Sequence, residues 1–277
     1  MRHRRALGAT LVGQPAMTAV VAELALESEA ATATAMRRAR AHDEDAGLSD
    51  RAFLRFATAV SKYWICKRGP EHAYEALECR GGNGYTETFP LARRYREKPV
   101  MAVWEGSGNV IALDVLRAMS REPDSPQAFD DEVALAAGVS ATFDAHLAVT
   151  RRLTNDALAD PASAEVSARR LVASLALSLQ ASLLLRCAPS AVSEALIEAR
   201  LSDERGYLYG ELAPGTRTGE IIDRAEPASE GLGDLSGSAS RPGRLTVAAM
   251  ADSVHDLDTH TSRECRADGD GPQIDGR

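Results

Sequence analysis

The stretch from Glu78 to Asn109 reads ECRGGNGYTETFPLARRYREKPVMAVWEGSGN and gathers the residues best suited to chemistry. Glu105 sits between Trp104 and Gly106, with Ser107 next. Crowding by an indole favours the protonated form of a carboxyl group, and a helix N-terminus favours the ionised form. A ligand that closed over such a carboxylate would tip the balance toward a base able to abstract a proton. An ordinary helix-capping glutamate fits the same residues. Gly81-Gly82-Asn83-Gly84 offers backbone N–H groups that can approach a phosphate closely. It does not complete a GxGxxG pattern and no strand is expected before it, so a Rossmann turn is excluded. A plain helix end and turn also fits.

Two basic clusters stand near these motifs: Arg2, His3, Arg4 and Arg5, and then Arg93, Arg94, Arg96 and Lys98. Guanidinium forks match phosphate oxygens, although a solvated charged face looks the same in sequence. The chain as a whole is acidic, with a net charge of −8, so it exerts no global pull on nucleic acid or anionic membranes. Cys66, Cys79, Cys187 and Cys265 form no CxxC pair and read as reduced thiols of a cytoplasmic protein. The histidines are dispersed and suggest no metal site. Asp268-Gly269-Asp270-Gly271 lacks most of a calcium loop. The apolar run Leu171 to Cys187 is interrupted by Ser174, Ser178, Gln180 and Ser182. It reads as a helix buried on most sides and not as a membrane span.

Alanine and leucine abound and aromatic residues are few, which favours helix over sheet. Met17, Val20, Val21 and Leu24 begin a helical pattern that continues to about Arg40. A second helix is expected from Asp50 to about Cys79, capped by Ser49 and kinked or broken at Gly69-Pro70. A short basic helix from Pro90 to Glu97 should stop before Pro99, and another should run from Gly106 to Arg121. Pro123 and Pro126 mark a linker. Helical patterns follow from Phe129 to Leu158 and from Ser163 to Arg200, the latter broken near Pro189. After Pro227 large apolar residues thin out, and Ala228 to Arg277 reads as a loose tail.

Taken together, RHRRALG (Arg2 to Gly8), QPAM (Gln14 to Met17), ECRGGNGY (Glu78 to Tyr85) and WEGSGNVIALDVLR (Trp104 to Arg117) resemble the C-terminal half of the acyl-CoA dehydrogenase family. LALESEAATA (Leu24 to Ala33) and YWICKRG (Tyr63 to Gly69) are most similar to the AidB-like branch, associated with the response to DNA alkylation. The resemblance implies an all-α chain: an incomplete dehydrogenase bundle over residues 1–121, an AidB-like helical extension over 122–225 and a tail over 226–277. It implies that the family's N-terminal helical domain, its β domain and the bundle's first helix are absent.

The same resemblance implies roles. Glu105 matches the base that removes the α-proton of an acyl-CoA while the β-hydrogen passes as hydride to FAD. Arg4 matches the arginine that reaches the FAD pyrophosphate of a neighbouring subunit, in a homo-oligomer. Gly81 and Gly82 match the pair beside the adenine-side phosphates. Ser107 and Asn109 match polar positions near the nucleotide. Leu7, Glu78 and Trp104 depart from the commoner phenylalanine, glutamine and tyrosine, and Glu78 and Trp104 argue against an ordinary fatty acyl-CoA as substrate. Two alternatives stand beside the dehydrogenase: a DNA-associated flavoprotein, disfavoured by the acidic extension, and a truncated product that is inactive alone.

Overall fold

The computed structural model describes residues 4–226. The chain opens with a small hairpin, β1 (Arg5–Ala6) against β2 (Ala9–Thr10), antiparallel with Arg5 opposite Thr10. Leu7 (φ 51) and Gly8 (φ 83) make its tight turn, the left-handed pair that a two-residue hairpin requires. Everything else of regular structure in the described residues is helical: α1 (Pro15–Arg40), α2 (Leu48–Glu78), α3 (Gly82–Tyr85), α4 (Pro90–Met101), α5 (Gly108–Arg121), α6 (Asp124–Ala134), α7 (Ala141–Ala159), α8 (Pro161–Cys187), α9 (Ser190–Leu201) and α10 (Thr218–Arg224), with one 3-10 turn at Leu11–Gly13. The all-α expectation holds. The expected tail lies outside the described residues, as do Arg2, His3, His255, His260 and the Asp268–Gly271 stretch.

Several local expectations are corrected. Ser49 does not cap α2; the cap position is Gly47, and no side chain bonds the helix start. Neither Pro70 nor Pro99 ends its helix. α4 packs along α2 over this stretch, and lateral packing outweighs the loss of one backbone bond in each. The glycine turn winds into the single-turn helix α3. The linker at Pro123 and Pro126 is instead the start of α6, since a proline in a first turn leaves no bond unmade. The pattern from Phe129 to Leu158 is two helices, parted where Gly138 takes φ 84 and Ser140 caps α7.

The core runs through both the N-terminal helices and the extension. Its axis is α8, begun by Asp160 as N-cap with Pro161 at the first position. Leu171, Val172, Leu179, Leu183 and Leu184 are buried, and so are Ser174, Ser178, Gln180 and Ser182. The hydroxyls of Ser174 and Ser178 are matched by Thr150 of α7, at 2.6 Å and 3.1 Å. The serine interruptions in the apolar run are thus partnered contacts inside a bundle, and α8 is the buried helix its sequence suggests. Across the core, Phe129 of α6 stacks on Phe53 and meets Phe56 edge-on, with ring centroids at 6.0 Å and 5.3 Å.

Two buried charge networks tie the layers together. Arg200 of α9 bonds Glu23 at 2.7 Å and Glu27 at 2.9 Å, both on α1. Glu23 also accepts from the Gly210 amide, and Arg68 of α2 reaches Glu27 at 3.4 Å. Burial alone would raise the Glu27 carboxyl, but Arg68 and Arg200 together hold it below its ordinary value. In the second network, Glu132 of α6 takes Arg37 of α1 at 2.8 Å and also Arg186 of α8. Breaking such a pair costs about 3–5 kcal/mol, because the remaining charge stays buried.

Candidate functional site

Helix α4 runs back along α2, and side-chain contacts give the register. The Arg80 guanidinium lies over the Phe89 ring at 5.6 Å, and Tyr74 meets Tyr95 at 5.9 Å. A Cβ at Gly69 would stand 3.5 Å from Lys98 Cδ. At the far end Lys62 bonds the carbonyls of Trp104 and Glu105. Numbers fall along α2 as they rise along α4, so the pair is antiparallel. The six sequence-derived candidates divide between its two ends. From Lys62 to Arg80 the helix rises about 27 Å at about 1.5 Å per residue.

At one end the structure brings Arg4 and Gly81 together. Arg4 Nη1 donates to the Arg80 carbonyl at 2.8 Å. Gly81 has φ 58, and a Cβ there would lie 3.5 Å from Arg4 Nη1. A Cβ at Gly82 would meet nothing within 4 Å. The turn therefore presents bare backbone, open space and a guanidinium with unused donors, a set that fits a phosphate or pyrophosphate. Gly84 has a different task. A Cβ there would stand 2.0 Å from the Leu77 carbonyl oxygen, so the glycine permits the close return of the chain onto α2.

At the other end, Glu105 lies in the turn between α4 and α5, and Ser107 is the N-cap position of α5 without a side-chain capping bond. Glu105 is exposed, and its φ of 53 is unusual for a residue with a side chain. A non-glycine residue there costs roughly 1–2 kcal/mol. Gly106 follows at φ 114. Trp104 is 67% exposed, so the crowding by its indole expected from sequence is not present within the described residues. Val100, Met101, Val103 and Val110 are exposed around the same turn. Asn109 is not free: its Oδ1 accepts from Arg169 Nε of α8 at 2.7 Å, a contact with the extension. Lys67 also approaches, since a Cβ at Gly108 would stand 3.1 Å from Lys67 Nζ.

Lys62, Lys67 and Arg169 are the residues near the site that sequence reasoning passed over. Lys62 and Lys67 lie within or beside YWICKRG on α2, where a lysine on a helix reads as solvated charge. Arg169 follows from no local pattern, because it comes from a helix sixty residues further along the chain. The second basic cluster is largely matched by acids: Arg96 pairs with Glu87 at 2.7 Å, and Arg93 with Glu97 at 2.6 Å. No group of metal-ligating side chains forms among the described residues. A cavity of about 400 Å³ lies elsewhere, between Phe56, Phe129, Leu147, Thr150, Arg151 and Leu175, and none of the six candidates lines it.

Residues 1–120 match the family described as acyl-CoA dehydrogenase, C-terminal domain. The putative acyl-CoA dehydrogenase AidB of Escherichia coli strain K12 is 43% identical over 120 residues, which are 43% of this chain and 22% of that protein. Acyl-CoA dehydrogenase family member 11 of Caenorhabditis elegans is 35% identical over 105 residues, 38% of this chain and 17% of that one. The chain thus spans about a fifth of the length of these curated relatives. Among solved structures, Caenorhabditis elegans ACDH-11 in complex with C11-CoA superposes with a TM-score of 0.60 at 20% identity, covering 80% of this chain and 41% of that one. The Bd2924 apo-form gives 0.57 at 23% identity, covering 65% and 35%. These structural likenesses show a shared fold. The ACDH-11 superposition reaches beyond residues 1–120 into the extension. The resemblance to the C-terminal part of acyl-CoA dehydrogenases therefore holds over residues 1–120.

Proposed function

We propose that this chain carries the C-terminal part of an FAD-dependent acyl-CoA dehydrogenase-type site, with Glu105 as the base. The observation that carries the reading is the placement of Glu105: a strained carboxylate-bearing turn, immediately before α5, inside the segment that matches the family. Strain of this kind gathers at functional positions. Glu105 takes the α-proton of an acyl thioester as the β-hydrogen leaves with its electron pair, and an enoyl thioester results. FAD, when bound, accepts that hydride. Ser107 and Asn109 stand at the start of α5, where its free N–H groups favour an anionic portion of cofactor or substrate.

Arg4, Gly81 and Gly82 would hold a pyrophosphate at the opposite end of the α2–α4 pair. About 27 Å of helix between the two ends favours two different copies of the cofactor, one at each end, and so a homo-oligomer. The exposed apolar side chains around Glu105 supply a surface for the rest of such a site. The test is to supply the chain with those portions of an acyl-CoA dehydrogenase that lie outside the matched segment. Flavin absorbance should be retained and should bleach on adding acyl-CoA without oxygen. Arg4→Ala should lower flavin retention. Retention at the wild-type level in Arg4→Ala would contradict the assignment of that end.

A further inference from the structure

We propose that Lys62 is a positioning residue for Glu105, an inference that rests on Glu105 being the base. Lys62 Nζ donates to the Glu105 carbonyl at 2.8 Å and also to the Trp104 carbonyl. Two successive carbonyls therefore converge on one ammonium from the neighbouring helix. The backbone needs this support. The bonds of α4 end with Trp104 N to Val100 O at 2.8 Å, and those of α5 begin with Ile111 N to Ser107 O at 3.0 Å. Between them lie Glu105 and Gly106, both with left-handed backbone. Such a conformation persists only where its surroundings over-determine it. The Trp104 indole does not supply that constraint, being exposed. Lys62 does, and it stands on α2, a rigid helix of 31 residues that also carries the Arg80 end. An ammonium has three donors, and two are spent on the turn.

The bond pattern fixes where the Glu105 Cα stands and how its side chain leaves the backbone. Misplacement of a reacting group by about 1 Å can cost on the order of a hundredfold in rate. Lys62→Met keeps the aliphatic stem and removes the clamp; Lys62→Arg keeps the donors. In the full chain, amide hydrogen exchange over residues 102–107 should quicken about tenfold or more in Lys62→Met, with α8 unchanged, and return close to wild type in Lys62→Arg. With the remaining dehydrogenase portions supplied, Lys62→Met should lower kcat for flavin bleaching about a hundredfold while KM holds, and Lys62→Arg should recover most of it. Wild-type exchange over the turn in Lys62→Met would overturn the clamp. A loosened turn with unchanged bleaching would overturn its positioning role. Glu105→Gln separates the two assignments: it should leave the turn as protected as in wild type, and bleaching at the wild-type rate in that variant would instead sink the base.

Discussion

Helix α8 and the turn between α4 and α5 are built on opposite terms. α8 buries side chains on nearly every side, is capped by Asp160, and partners its hydroxyls within the bundle. The turn exposes Trp104 and Glu105, holds two residues in left-handed backbone, and leans on one lysine. The core is shared between the N-terminal helices and the extension, and the groups proposed for chemistry lie where packing is thin. The lesson is that an exposed turn held in left-handed backbone needs an anchored helix behind it. Here α2 is that helix, and α8 reaches the same turn through Arg169 and Asn109.

Breaking the anchored side should have the largest effect. Arg200→Met removes the guanidinium that Glu23 and Glu27 share, leaving Glu27 with Arg68 and Glu23 with the Gly210 amide, and should lower unfolding free energy by about 3–5 kcal/mol in urea titrations. Leu179→Ala, in the middle of α8, should cost about 2–5 kcal/mol, whereas Val166→Ala on the exposed face of the same helix should stay within about 0.5 kcal/mol. Gly84→Ala should cost about 1–3 kcal/mol by pressing on the Leu77 carbonyl. If Leu179→Ala and Val166→Ala were equally mild, the contrast between core and surface would fail.

Acid should act on the anchored side as well. Burial holds His72 and His146 below their ordinary value of 6.5, so protonation is resisted in the folded chain. Stability should begin to fall as pH drops below 6.5, where the unfolded chain takes up protons first. Glu27 and Glu132 are held below 4.5 by their arginines, against the opposing pull of burial. Their contribution is present in full above 4.5 and is lost as pH falls through their lower folded values. Thermal unfolding followed from pH 8 to pH 3 should therefore decline in two stages. A flat profile down to pH 4 would contradict the histidine stage.

Much of this architecture was legible in the chain. The three-and-four spacing marks α1, the apolar side beginning at Phe53 marks α2 and the apolar run from Leu171 marks α8, and the glycine turn and WEGSGN stand out by composition. Helix boundaries near proline were read too strictly, because a proline cannot announce that a neighbouring helix will hold its segment in place. The split between α6 and α7 was hidden by residues that suit either a helix or a loop. Arg4 beside Gly81 has no signal in the sequence, since nothing local joins residues so far apart. The Lys62 clamp was invisible for a related reason: a lysine on a helix reads as solvated charge until a turn with two unpaired carbonyls is placed beside it.

The most direct test of the account follows proton transfer itself. With the portions of an acyl-CoA dehydrogenase that lie outside the matched segment supplied, an acyl-CoA thioester is incubated in D2O and deuterium at its α-carbon is measured. The wild-type chain should wash deuterium into that position, and Glu105→Gln should do so slower by about a hundredfold or more. Equal incorporation by the two would remove Glu105 as the base.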